Sequence, residues 1–203
     1  RTFDTKGTKA GLQAVLRKLK AAKPAAVLAV PAGDQHLHYW KAARSLRVPW
    51  ASLAGLAPDV ARNPGNLLHP GPTPVGQAVA AADAAIAPLA ARRVAVLHEP
   101  TEFGRTLAAG FARNLSAHVK LAGVRVWDAD AGEGTLQALK ALEAGWIYVA
   151  LNGAPLVHFV EALAASAWRP RLLFCEGARD DSLLEKAAGA LEDCVFLDGP
   201  DPE

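Results

Sequence analysis

Residues 93–111 read RVAVLHEPTEFGRTLAAGF. The wholly apolar run at 94–97 predicts a buried strand, residues 98–102 a short polar loop, and Phe103-Gly104 the opening of a helix. Strand, loop and helix in that order make half of a βαβ unit. In open α/β sheets, ligands sit where such loops leave the carboxyl ends of the strands. The loop after residue 97 is therefore the first place to expect a binding site.

The same alternation extends in both directions. On the amino side, residues 3–7 read as a strand end and turn. Thr8 caps a helix whose apolar positions Leu12, Val15, Leu16 and Leu19 recur at helical spacing, and Pro24 ends it. The apolar run at 25–30 predicts a strand covered on both faces. A turn at 31–34, a helix to residue 46 and strands at 48–53 and 66–69 follow, and then an alanine-rich helix at 73–89. On the carboxyl side, strands are expected at 124–127, 146–151, 171–175 and 194–197, with helices at 135–142, 156–165 and 181–190. Strands alternating with helices predict parallel sheets of the α/β class. Because the pattern repeats on both sides of the helix at 73–89, two lobes are expected, residues 1–91 and 92–199.

Composition narrows the function. A chain of 203 residues, half of them apolar, buries a substantial core. A formal charge of +2 with scattered Lys and Arg gives no footprint for nucleic acid. No apolar run approaches the ~18 residues of a membrane span. The sequence has no methionine and begins at Arg1 in what reads as a strand end, which is the expectation for a processed or trimmed chain. Cys175 and Cys194 fall at opposite ends of neighbouring expected strands. A bridge spans Cα atoms only ~4.4–6.8 Å apart, so two buried thiols are expected.

No catalytic motif is present: GxSxG, GxxxxGK[ST], GxGxxG after a strand, HExxH and CxxC are all missing. His36 and His38 beside Asp34 could meet a metal only in an extended loop, since i and i+2 side chains diverge on a helix; otherwise they are polar residues at a helix start. His98, Glu99 and Glu102 form a second polar cluster, in which Glu102 is explained by the helix dipole alone. Glu176 and Asn152 each follow an apolar strand at its carboxyl end. That is where a ligand-binding acid or amide would stand, and also where a capping or loop residue would.

The stretch VAVLHEPTEFGRTLAAGF, followed by Gly123-Val124-Arg125-Val126, resembles the Leu/Ile/Val-type class I periplasmic binding proteins, the solute receptors of ABC importers. Phe3-Asp4-Thr5-Lys6-Gly7, residues 25–33, Val48-Pro49-Trp50-Ala51-Ser52 and residues 172–177 agree with the same family in the same order. The resemblance implies two Rossmann-like lobes, with parallel sheets flanked by helices, closing by a hinge on a ligand between them. It places first-lobe contacts at Gly33, Asp34 and Gln35 and at Ala54, Gly55 and Leu56. Second-lobe contacts fall at Phe103, at Asn152 to Ala154, and at Glu176.

The resemblance also has departures. Gly33-Asp34-Gln35 and Leu56 stand where the family usually has hydroxyl residues, and Phe103 replaces a tyrosine. A ligand carboxylate would lose several donors, so the ligand expected is a small polar molecule other than a simple branched-chain amino acid. The chain resembles the family without its first strand and helix, and residues 200–203 resemble the start of the crossover back to the first lobe, as in a partial or reduced member. The implied function is non-enzymatic solute binding, periplasmic or otherwise extracytoplasmic. A membrane permease is the expected partner, and no cofactor, metal or nucleic acid is expected. The alternative is a ligand-free accessory or scaffold subunit of a larger periplasmic complex.

Overall fold

A computed structural model describes residues 1–6, 8–30, 41–42, 44–52, 65–68, 71–176, 181–187 and 189–197. The chain forms two compact units, Arg1–Pro74 and Val75–Glu203.

In the first unit, helix α1 (Lys9–Ala22) starts where the Thr8 side chain accepts a hydrogen bond from the Gly11 N–H at 3.0 Å. It stops at Lys23, whose N–H still donates to the Leu19 carbonyl but whose left-handed backbone (φ 46°) turns the chain out of the helix, and Pro24 forbids continuation. Strands β1 (Val27–Ala29), β2 (Trp50–Ser52) and β3 (Leu67–Leu68) pair in parallel in that order. Leu12, Val15 and Leu19 of α1 form the core of this unit with Ala29, Trp50 and Leu67. The expectation that residues 25–30 are covered on both faces does not hold. Ala29 is buried, but Leu28 is 66% and Val30 71% exposed. Burial alternates along the strand, so Val27 and Ala29 face the core while Leu28 and Val30 stand exposed, and a groove of about 790 Å³ runs beside the strand, lined also by Phe3 and Leu12.

The second unit is built on a five-stranded, all-parallel sheet. Its strands are β4 (Arg93–His98), β5 (Lys120–Val126), β6 (Trp146–Ala150), β7 (Leu172–Phe174) and β8 (Val195–Phe196), in the spatial order β5-β4-β6-β7-β8. The helices are α2 (Pro74–Ile86), α3 (Glu102–Asn114), α4 (Gly132–Lys140), α5 (Gly153–Ala165) and α6 (Asp181–Lys186). Successive strand residues face opposite ways, and the sheet accordingly separates two cores. Val94, Val96, Tyr148 and Leu173 pack with α2 and α3, while Ala95, Leu97, Ile147 and Phe174 pack with α4 and α5. With both faces covered, β4 needs apolar residues throughout, which is why its run is continuous.

Three expectations change. The alanine-rich helix lies with the second unit, where the sequence reading put it in the first lobe. Ala78, Ala81, Ala82 and Ala85 share a core with Val94, Val96 and Phe111. Strand β5 begins at Lys120, earlier than expected, because a sheet-edge strand carries exposed polar residues that blunt its apolar signal. Cys175 is buried but Cys194 is only half-buried, and both are free thiols.

Candidate functional site

The order β5-β4-β6 places a reversal of winding at β4. The chain leaves β4 through α3 to β5 on one side, then returns through α4 to β6 on the other. Since α3 packs on one face and α4 and α5 on the opposite face, the carboxyl ends of β4 and β6 lie at the switch point of the winding, the position where open α/β sheets take ligands.

The residues at this edge are joined by hydrogen bonds. Glu99, just past β4, is a carboxylate only 8% exposed. Its backbone N–H donates to the Ala150 carbonyl at 3.3 Å, extending the β4–β6 pairing into the loop. Its Oε1 accepts from the Thr101 hydroxyl at 2.6 Å, and its Oε2 accepts from the Asn152 backbone N–H at 3.4 Å. Thr101 Oγ1 in turn accepts from the Gly104 N–H at 3.1 Å and so caps α3. His98 Nδ1 lies 2.7 Å from the Glu99 carbonyl oxygen.

Gly104 is what lets α3 start so close to this loop. A Cβ there would sit 2.5 Å from the Glu99 carbonyl oxygen and 2.7 Å from its Cγ. At Gly153 the backbone favours glycine, since φ is +56° where the loop from Asn152 enters α5.

On the next strand, the Cys175 thiol donates weakly to the Leu151 carbonyl at 3.5 Å and to Asn152 Oδ1 at 3.7 Å. Burial, and after it the nearby Glu99 charge, pushes this thiol up to about 12. It is therefore a neutral packing and hydrogen-bonding group rather than a nucleophile at neutral pH.

Of the residues expected at the site, Phe103, Asn152 and Glu176 follow the adjacent strands β4, β6 and β7. Phe103 is half-buried in the first turn of α3 against the core around Phe111. Asn152 is the residue before α5, with no side-chain capping bond, and Glu176 is half-buried directly after Cys175. Gly33, Asp34, Gln35, Ala54, Gly55 and Leu56 lie outside the described residues, as do His36 and His38. Among the described residues no group of three His, Cys, Asp or Glu side chains could hold a metal. Sequence does not single out Thr101, and it marks Cys175 only as a buried thiol. A threonine directly before a helix start, with Glu102 in the first turn, is a capping signal that could have found the first; nothing local marks the contacts of the second.

The family model described as periplasmic binding protein matches residues 1–203. This chain belongs to the periplasmic binding protein family. Several solved members are similar to it in fold. The leucine-binding protein LivK from Thermotoga maritima superposes with a TM-score of 0.78 at 20% identity, over 96% of this chain and 57% of that one. The branched-chain amino acid substrate-binding protein LivJ from Streptococcus pneumoniae, in complex with isoleucine, gives 0.79 at 15%, over 95% and 56%. An ABC-transporter solute-binding protein from R. palustris, in complex with benzoate, gives 0.74 at 16%, over 92% and 52%. At such identities the likeness is one of fold, and the chain spans a little over half the length of these relatives. No curated protein matches the sequence. The family and these neighbours are binding proteins rather than enzymes. Among the described residues of this member, no helix is long and apolar enough to cross a membrane.

Proposed function

We propose that this chain is part of an extracytoplasmic solute-binding protein of an ABC-type importer, delivering a small polar molecule to a membrane permease. The observation that carries this reading is that Phe103, Asn152 and Glu176 follow three adjacent strands, β4, β6 and β7, at their carboxyl ends. Family membership supports the same class of function. In this reading Phe103 is an apolar wall, Asn152 a hydrogen-bonding group and Glu176 a charge. Gly33, Asp34, Gln35, Ala54 and Gly55 are the proposed contacts from the first unit. Phe103 has no hydroxyl to offer a ligand carboxylate, which argues against a simple branched-chain amino acid.

A thermal-shift screen of the protein against amino acids, amides, small carboxylates, aromatic acids and metal ions tests the proposal. A ligand present at 100 times its Kd adds about 2.7 kcal/mol to stability, enough to read as a rise in Tm. Asn152→Ala and Phe103→Ala should each shrink that rise. If no compound stabilises the intact protein, the receptor reading fails and the accessory-subunit alternative takes its place.

A further inference from the structure

Glu99 is a carboxylate with little access to water, and burying such a charge is costly unless hydrogen bonds compensate it. Here the compensation comes from two different loops. The Thr101 hydroxyl donates to Oε1 at 2.6 Å from the start of α3, and the Asn152 N–H donates to Oε2 at 3.4 Å from the start of α5. Both helices present their amino ends to this edge, so both dipoles favour a negative charge between them. The backbone adds a third tie, because the Glu99 N–H bonds to the Ala150 carbonyl at 3.3 Å. The absence of a side chain at Gly104 keeps the helix close enough for the clamp to form.

We propose that Glu99 is a positioning residue, whose buried carboxylate clamps the β4–α3 loop to the β6–α5 loop and so sets Phe103 and Asn152 in register with each other. Glu99 does not itself contact a ligand in this assignment. It acts through Asn152, whose N–H it accepts, and through Thr101, whose hydroxyl caps the helix that carries Phe103. The inference deepens the binding reading above and rests on it for its functional meaning, but the clamp itself is a property of the ligand-free protein.

The test is amide NMR on the protein without added ligand, for the wild type, Glu99→Gln, and Leu139→Ala as a core-destabilised control. The titratable neighbours are His98 at the end of β4, whose ring meets the Glu99 carbonyl, and Cys175 just after β7, which feels the charges of both Glu99 and Glu176. In the wild type, the amide protons of Asn152 and Gly104 should move together as acid protonates a single carboxylate. In Glu99→Gln this shared acid titration should disappear, and the Phe103 and Asn152 resonances should both be displaced at neutral pH. Leu139→Ala should keep the titration despite its lost stability. If Glu99→Gln fails to fold, Thr101→Val serves instead: Gly104 should lose its titration while Asn152 keeps it. An Asn152 amide indifferent to acid, or one whose titration survives in Glu99→Gln, would overturn the clamp. Neither result depends on finding a ligand, so failure here leaves the receptor reading standing, and an empty ligand screen leaves the clamp standing.

Discussion

Tyr148 brings a phenol into the centre of the second unit, stacked on Phe111 with ring centroids 4.5 Å apart. Its hydroxyl is buried with no hydrogen-bond partner among the described residues, and burial raises its pKa well above the usual 10. An unpaired buried hydroxyl costs roughly 1–3 kcal/mol, whereas the ring contributes packing that phenylalanine would retain. Tyr148→Phe should therefore leave stability unchanged or raise it by about 1 kcal/mol, read from the urea midpoint. A clear loss would mean that the hydroxyl is satisfied. Cys175, also in this core, makes stability depend on pH in a definite direction. The folded protein keeps the thiol proton up to about 12, while the unfolded chain releases it near 9.0. Above that lower value the unfolded state binds fewer protons than the folded one, so the contribution is full below about 9 and is lost as pH rises toward 12. Cys175→Ala should lower stability at neutral pH yet flatten its alkaline decline, measured by urea unfolding at about pH 7 and about pH 10. An equally steep decline in the variant would assign the effect elsewhere.

The contact between α2 and α3 shows how element packing selects small residues. A Cβ at Gly110 would lie 2.7 Å from the Ala78 Cβ, and Ala78, Ala81, Ala82 and Ala85 are all fully buried along α2. A helix gains about 1 kcal/mol when glycine becomes alanine, but overpacking a tight contact costs about 1–3 kcal/mol. The second effect is the larger, so Gly110→Ala should be mildly destabilising despite its better helix propensity. Gly110→Val should be worse. Adding Ala78→Gly to Gly110→Ala should recover part of the loss, and the coupling is measurable as a double-mutant cycle in chemical unfolding. Strict additivity of the two changes would show that the helices do not meet at this pair.

At the scale of the whole molecule, the position of α2 decides which fragment is autonomous. Its alanines close the core that also holds Val94, Val96, Phe111 and Tyr148. A fragment of residues 75–203 should fold cooperatively. One of residues 92–203 should expose that apolar face, bind hydrophobic dye and lose near-ultraviolet circular dichroism while keeping secondary structure. Equal cooperativity in the two fragments would return the boundary to residue 91. The same folding unit carries the whole β4–β6–β7 edge, so the longer fragment should also keep the Glu99 contacts to Thr101 and Asn152.

The α/β class was legible from sequence because a strand buried on both faces must be apolar throughout, as at residues 94–97, and because Thr8 and Pro24 mark the ends of a helix chemically. Asn152 and Glu176 were legible as candidates for a related reason: a polar residue directly after such a run has nowhere to stand but the sheet's carboxyl edge. The open face of β1 was not legible, since Leu28 and Val30 look the same whether or not another layer covers them. Neither was the allegiance of α2, because an alanine-rich helix carries no label for the sheet it will cover. The clamp at Glu99 joins residues 53 positions apart. Local sequence determined the elements and their order. Only the tertiary structure, by setting β6 beside β4, decided that a loop carboxylate would be buried between two helix starts and hold Phe103 and Asn152 at one edge.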